Sequence, residues 1–424
     1  MTVGLMNQSH DVRLLVFSSI FPSSVTPTVG TPVWERMSRI GQHVPMVVVS
    51  PQAWSPLDWL VRWFRRTYRP IASEHEVIQG VEIFRPRILS IPRFFKGLDG
   101  WLMAQGSRRT FAHVVRQFRP TIVDAHFLYP DGFAASMLAR EHGLPLTVTI
   151  RGSKDARLVA GPRREQLRST MTSATKLFAV SDSLKQDVPT ALGIDSAKTV
   201  VIGNGVDMAK FTRVDRTAAR ERLGLAPDAK VLISVGSLVE LKGFHRILPV
   251  LPRLRQRFPG LRYLVVGGGT TQGDMSGTLR AMSTQLGLDD CVVFCGPQVP
   301  DKLKWYYSAA DLFVSATSYE GWANVLLEAM ACGLPAVTTN VGGNPQVVCR
   351  KDVGAIVPFW DEAAFESTVL AVLEAEWDHE AIVAYARSNS WDARVTRQLA
   401  EYEDVLRSWQ RLSARGGHLA GHAT

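Results

Sequence analysis

Two carboxylates and one ammonium group in the second half of the chain have the types and spacing to grip a phosphorylated sugar. Glu320 and Glu328 stand eight residues apart in ATSYEGWANVLLEAMACGLPAVTTNVGGNP, residues 316–345. The run reads as strand, glycine-containing loop, helix and strand. Glu320 falls in the loop and Glu328 about one turn into a helix opening near Asn324, so both side chains can face one ligand. Just past Gly321, the helix start at Asn324 and Val325 leaves backbone N–H groups free at the positive end of the helix dipole, a natural seat for a phosphate. A carboxylate one turn deeper can accept hydrogen bonds from a ribose diol. The plainer role for the same pair is a surface glutamate ahead of a glutamate in an apolar helix.

Three further residues occupy ends of expected strands. Lys242, in VGSLVELKGFHRI (235–247), follows a strand ending at Gly236 and can reach a diphosphate as a point charge, although a lone lysine there is also a common solvated residue. His126 closes a strand ahead of the turn in DAHFLYPDG (124–132), where an imidazole can contact a sugar or move a proton, or simply be satisfied by nearby backbone. Gly30, in FPSSVTPTVGTPVWERM (21–37), would let a helix start approach an anion closely, or serve as a turn glycine. The glycines of VVGGGT (265–270) do not match a dinucleotide fingerprint in spacing, and no Asp-x-Asp pair is present to hold a metal against a diphosphate.

The elements needed to position these residues are legible as alternating strands and helices. Short β-branched runs at 12–21, 44–51, 121–127, 146–153, 176–181 and 199–204, then at 231–238, 262–269, 291–296, 312–317 and 335–340, predict two consecutive open parallel α/β sheets. The polar stretch from Val206 to Lys230 separates the two sets and is the expected hinge. Ligands bind beyond the carboxyl ends of such strands, so two Rossmann-like halves are expected to face each other across a cleft. The segment from Trp54 to Lys96, rich in Trp, Phe, Arg and Pro, breaks the pattern, and WDARVTRQLAEYEDVLRSW (391–409) predicts a helix.

Composition narrows the class. With 424 residues, 46% hydrophobic and 21% charged, the chain is globular and long enough for two or three domains. No apolar run is long enough to span a bilayer and no leader pattern opens the chain, which predicts a cytoplasmic protein. Four cysteines, Cys291, Cys295, Cys332 and Cys349, are too few for a disulfide framework and lack the partners of a zinc site. The net charge of +9 favours an anionic partner without choosing among nucleotide phosphates, nucleic acid and acidic membrane. Aromatic and basic residues do not interleave as in a recognisable nucleic-acid module, so no nucleic-acid partner is expected.

Taken in this order, the motifs resemble the retaining glycosyltransferases of family 4, over nearly the whole chain. The resemblance rests on Glu320 and Glu328 as the family's E-x₇-E element, Lys242 in its GxLxxxKG segment, the NGVD turn at Asn204 to Asp207, Gly30 and His126. It implies the GT-B fold: an N-terminal Rossmann-like acceptor domain over 1–205, a C-terminal Rossmann-like nucleotide-sugar domain over 206–395, and a helix and tail over 396–424 that crosses back to the first domain. It also implies roles. Glu328 would bind the ribose, Glu320 the donor sugar and Lys242 the diphosphate, with help from Gly321, Asn324 and Val325. His126 would reach the transferred sugar, and Gly30 would allow close approach to the phosphates; His126, Lys242 and Glu320 form the implied catalytic set.

The implied reaction is metal-independent transfer of a hexosyl unit, with retention, from a nucleotide-diphosphate sugar to a glycan or lipid-linked acceptor in polysaccharide or glycolipid synthesis. The donor is a co-substrate, and no cofactor is expected. A nucleotide-sugar-binding protein without transfer activity and a sugar-nucleotide epimerase are the alternatives. Two positions depart from the family pattern: Ser237 stands where arginine is frequent, and Gln346 replaces the glutamate of GGxPE. In WLVRWFRRTYR (59–69), Arg62, Arg65, Arg66 and Arg69 lie among aromatics. That mixture suits an anionic membrane surface at the inner face of the membrane, or else an amphipathic helix packing its aromatic side on the domain.

Overall fold

A computed structural model describes residues 11–27, 29–64, 68, 70–90, 97–152, 161–270, 273–359 and 361–419. The chain divides into two compact units, one formed by residues 1–203 with 394–424 and the other by residues 204–393.

The first unit is built on an eight-stranded sheet. Its strands are β1 (Leu14–Phe17), β2 (Met46–Val49), β4 (His75–Ile78), β5 (Val81–Phe84), β7 (Ile122–His126), β8 (Leu146–Ile150), β9 (Lys176–Ala179) and β10 (Thr199–Val201), in the order β10-β9-β8-β7-β1-β2-β5-β4. Runs such as LLVF and IVDAH are buried along their whole length, as parallel strands covered on both faces must be. The chain adds β2 on one side of β1 and returns to place β7 on the other. The switch point of this sheet therefore lies between β1 and β7, and helix α1 (Thr31–Ile40) follows β1 there.

The irregular segment after Trp54 contributes more regular structure than its composition predicts. Two short strands, β3 (Gln52–Trp54) and β6 (Arg87–Leu89), pair as a separate parallel ribbon, while β4 and β5 form an antiparallel hairpin on the sheet edge. The turn signal was present in HEVIQGVEIF: Gln79 and Gly80 both adopt positive φ, and Ile78 pairs directly with Val81, the geometry of a two-residue hairpin turn. Between the ribbon strands runs α2 (Asp58–Phe64), and α3 (Asp99–Phe118) follows the ribbon. Arg65, Arg66 and Arg69 lie outside the described residues.

The second unit holds six parallel strands, β11 (Val231–Val235), β12 (Arg262–Val266), β13 (Val292–Gly296), β14 (Leu312–Ser315), β15 (Ala336–Thr339) and β16 (Gly354–Val357), ordered β13-β12-β11-β14-β15-β16. Five match the runs read in the sequence. The sixth, GAIV, is too short and too close to its flanking turns to stand out. Apolar clusters cover both faces of the sheet, and the segment from Val206 to Lys230 packs into one of them through Phe211 and Ala229. Chain direction across the sheet reverses at β11 and β14. Helix α4 (Asn324–Ala331) follows β14.

The last helix, Trp391–Leu419, runs ten residues beyond the predicted 409, and from Arg394 onward it belongs with the first unit. There Val395, Tyr402 and Val405 join the core, Tyr402 meets Phe178 edge-on with centroids 5.8 Å apart, and Lys176 Nζ binds Glu401 and Asp404 at 2.6 and 2.7 Å. No helix among the described residues is long and apolar enough to cross a membrane. All four cysteines are free thiols.

Candidate active site

In the second unit the predicted residues converge on the switch point. Lys242 ends a single 3-10 turn (Glu240–Lys242) after β11, and Glu320 lies in the loop after β14, the adjacent strand. Their side chains meet in an ion pair between Lys242 Nζ and Glu320 Oε1. Backbone contacts hold the two loops together: Ser318 N and Thr317 Oγ1 each donate to the Leu241 carbonyl at 2.9 Å. Gly243 makes that contact possible, because a Cβ there would sit 1.9 Å from the Ala316 oxygen and φ is +75°.

A second glycine supports the Glu320 loop from β15. A Cβ on Gly342 would lie 1.7 Å from the Glu320 oxygen, and Gly343 N donates to that same oxygen at 3.1 Å. The GGNP turn is thus a backbone brace for Glu320. Gln346, within the short helix Asn344–Val347, donates its N–H to the Gly343 carbonyl at 3.1 Å, and Ser237 O accepts from Val239 N at 2.8 Å. Gly267 has a packing cause of its own: a Cβ there would come within 1.8 Å of the Gly236 oxygen.

Helix α4 opens just beyond Gly321 with no side chain capping its first turn. Its leading N–H groups, from Asn324 and Val325, therefore offer donors and the positive dipole end close in sequence to the Glu320 loop. Asn324 Oδ1 accepts from Asn204 Nδ2 at 3.0 Å, which ties the NGVD turn to the helix start. One turn further, Glu328 Oε2 accepts from the Tyr307 hydroxyl at 3.0 Å. Tyr307 is fully buried, and burial together with the Glu328 charge pushes its pKa well above the ordinary value, so it stays a neutral donor. Burial, then the same carboxylate, pushes the Cys332 thiol up to about 12. Sequence reading missed Tyr307, because a tyrosine in PDKLKWYYSA gives no sign of which carboxylate it will meet.

The other two predicted residues flank the switch point of the first unit. Gly30 precedes α1 at φ +75°, and a Cβ would meet the Ile20 oxygen at 2.4 Å. Its glycine identity is thus required by backbone crowding. His126, the last residue of β7, is fully buried. Its Nδ1 accepts from Arg151 Nε at 3.1 Å, and its Nε2 lies 3.4 Å from Asp124 Oδ2. Asp124 Oδ1 accepts from Thr147 Oγ1 at 2.6 Å. Burial, reinforced by Arg151 and Arg36, lowers the His126 pKa well below the ordinary value. Burial raises that of Asp124 to about 6. The imidazole is therefore neutral, held at Nδ1 by Arg151 with Nε2 beside Asp124, and none of its surface is exposed. Among the described residues, no group of three or more His, Cys, Asp or Glu side chains could hold a metal ion.

Two Rossmann-like units, the second pairing Lys242 with Glu320 at its switch point ahead of a helix start, are an architecture shared by many kinds of nucleotide-handling protein. Comparison with known proteins identifies which kind. Residues 215–389 match the model of glycosyl transferases group 1, and residues 52–210 match that of glycosyltransferase family 4. The chain is 30% identical to the D-inositol 3-phosphate glycosyltransferase of Segniliparus rotundus over 68% of this chain and 67% of that one. It is 28% identical to TuaC of Bacillus subtilis, a protein named for teichuronic acid biosynthesis, over 87% of this chain and 91% of that one. The crystal structure of Anabaena HepE in complex with UDP superposes with a TM-score of 0.68 at 18% identity, covering 93% of this chain and all of that one. The chain belongs to family 4 of the glycosyltransferases, with the GT-B fold, enzymes that transfer sugar from a nucleotide sugar.

Proposed function

We propose that the chain transfers a hexosyl unit, with retention of anomeric configuration and without a metal ion, from a nucleotide-diphosphate sugar to a glycan or lipid-linked acceptor in polysaccharide or glycolipid synthesis. The observation that carries this reading is the Lys242–Glu320 ion pair beside the uncapped start of α4, at the switch point of the second unit. The diphosphate would sit on the N–H groups of Asn324 and Val325, with Lys242 as its counter-charge, Glu320 toward the donor sugar and Glu328 toward the ribose. The similarity to TuaC, which extends over most of both chains, supports a polysaccharide acceptor, and the UDP in HepE supports a nucleoside diphosphate as the leaving group.

In this reaction the bond from the anomeric carbon to the phosphate oxygen breaks as the sugar gains oxocarbenium character. The acceptor oxygen bonds to the same face of that carbon, and its proton passes to the departing diphosphate. Most of the barrier lies in the negative charge growing on the leaving group, which the fixed helix N–H groups and Lys242, once drawn from Glu320 to the bound diphosphate, would offset. Those cationic and dipolar groups do the work a divalent ion would otherwise do, which is why the reaction is expected to be metal-independent.

A panel of nucleotide sugars tests the reading. The correct donor should raise the melting temperature by mass action and be consumed only when acceptor is present, with a rate unchanged by excess chelator. Loss of transfer on chelation would overturn the metal-independent mechanism. Donor turnover without acceptor would point to epimerisation, and stabilisation by the donor without turnover to a binding protein.

A further inference from the structure

The second unit carries a cavity that the donor site does not use. Strand β16 ends at Val357, where Pro358 has no N–H to continue the ladder. The chain steps out through Phe359 and enters a helix, Glu362–Glu374, capped by Asp361 Oδ1 accepting from Ala364 N at 2.8 Å. Across from this turn lies the short helix Phe244–Ile247, with the Arg246 guanidinium carbon 5.2 Å from the centre of the Phe359 ring. A space of about 190 Å³ stays open between the two segments, lined also by Ala316 and Thr339 at the carboxyl ends of β14 and β15. Arg246 Nη1 donates to the Ala316 carbonyl at 3.0 Å and Thr339 Oγ1 to the Thr317 carbonyl at 2.6 Å, so both also hold the start of the Glu320 loop. Lys242, Glu320, Asn324, Val325 and Glu328 are not among the described residues that line the cavity.

The lining mixes flat apolar walls with neutral polar atoms. Pro249, Pro358, Phe359 and the buried Phe365 supply the walls. His245 Nδ1 is buried and makes no hydrogen bond within the described residues. Burial, reinforced by Arg246, lowers the His245 pKa, so its ring is neutral and offers one donor and one acceptor, the complement of a hydroxyl. Arg246 shares the lining with two carboxylates, Asp361 and Glu362, and that balance does not recruit an anion. The volume corresponds to about six water molecules at liquid density, and it falls below the roughly 300 Å³ at which pockets for drug-sized ligands begin. It suits one ring and not a nucleotide.

We propose that this cavity is a second saccharide site, which takes one neutral pyranose ring at the end of a glycan, its C–H face against the phenylalanine and proline walls and a hydroxyl on His245. A pyranose has the two surfaces the lining calls for, an apolar face and a rim of groups that both donate and accept. A purely apolar occupant would leave the buried His245 nitrogen unsatisfied, at the cost of a lost hydrogen bond. The choice of a sugar as the neutral ligand rests on the proposed transfer to a glycan, whereas the cavity itself involves none of the residues assigned to the donor. A ring held there keeps a glycan on the enzyme apart from the donor.

Saturation-transfer NMR of the full chain with the methyl α-glycosides of glucose, galactose, mannose and rhamnose tests this. At least one should bind saturably. His245→Leu and Phe359→Ala should each keep the melting temperature and the consumption of nucleotide sugar, yet weaken that binding roughly three- to tenfold, the loss expected for one hydrogen bond or one aromatic wall. Glu320→Gln, which alters the proposed donor-sugar contact, should leave it unchanged. Binding of none of the four glycosides, or affinities unmoved in both cavity variants, would overturn the proposal. So would binding lost in Glu320→Gln alone, which would place the sugar in the donor site, or benzyl alcohol binding in preference to every glycoside, which would make the cavity an apolar void. Donor turnover, measured separately with the nucleotide-sugar panel, stands or falls independently of these results.

Discussion

Lys242→Ala is expected to lower turnover at least ~100-fold while leaving the fold intact, the loss typical of removing one preorganised group from a developing anion. The loop does not depend on the lysine side chain for its course. Gly243 fixes the turn against Ala316, and the Leu241 carbonyl takes two hydrogen bonds from the Glu320 loop. What is lost is the cation paired with Glu320, and with it the cation intended for the diphosphate. The uncompensated Glu320 carboxylate would then add repulsion where negative charge grows. Steady-state transfer rates with a circular-dichroism melt measure this. A rate within tenfold of the native value in a folded variant would remove Lys242 from the mechanism.

Glu328→Ala is expected to act through the nucleotide, reducing kcat/KM for the donor by about 100-fold or more, since a carboxylate receiving two ribose hydroxyls makes two charge-assisted bonds of about 1.5–3 kcal/mol each. The alanine variant also leaves the buried Tyr307 hydroxyl without its acceptor. Glu328→Gln separates the two effects, because an amide oxygen can still accept from Tyr307 while the charge that grips the diol is gone. The glutamine variant should keep the native melting temperature and still bind nucleoside diphosphate poorly by calorimetry. Undiminished affinity in both variants would place the ribose elsewhere.

The sequence exposed the site better than its supports. Glu320 and Lys242 were legible because each follows an apolar strand run, and Glu328 because it falls about one turn into the helix that follows the Glu320 loop. Tyr307, Arg151 and Asp124 were not, since their partners are brought to them by tertiary packing. Among the glycines, the sequence flags where one occurs but not what crowds it: Gly342 answers to the Glu320 carbonyl and Gly30 to that of Ile20. The alternation of strands also predicted both sheets, yet missed the β4–β5 hairpin, where charged residues on an edge strand dilute the apolar pattern. The orientation of α2, which leaves Trp59, Trp63 and Phe64 exposed, was out of reach for a similar reason. Periodicity shows that a helix has an apolar side, and only the structure shows which way that side faces.

The most direct test of the central claim is a crystal structure of the chain with its nucleoside diphosphate. The pyrophosphate is expected on the first N–H groups of α4, with Lys242 Nζ drawn from Glu320 to a phosphate oxygen and both ribose hydroxyls on Glu328. A diphosphate bound away from the start of α4, or a ribose that does not touch Glu328, would contradict it.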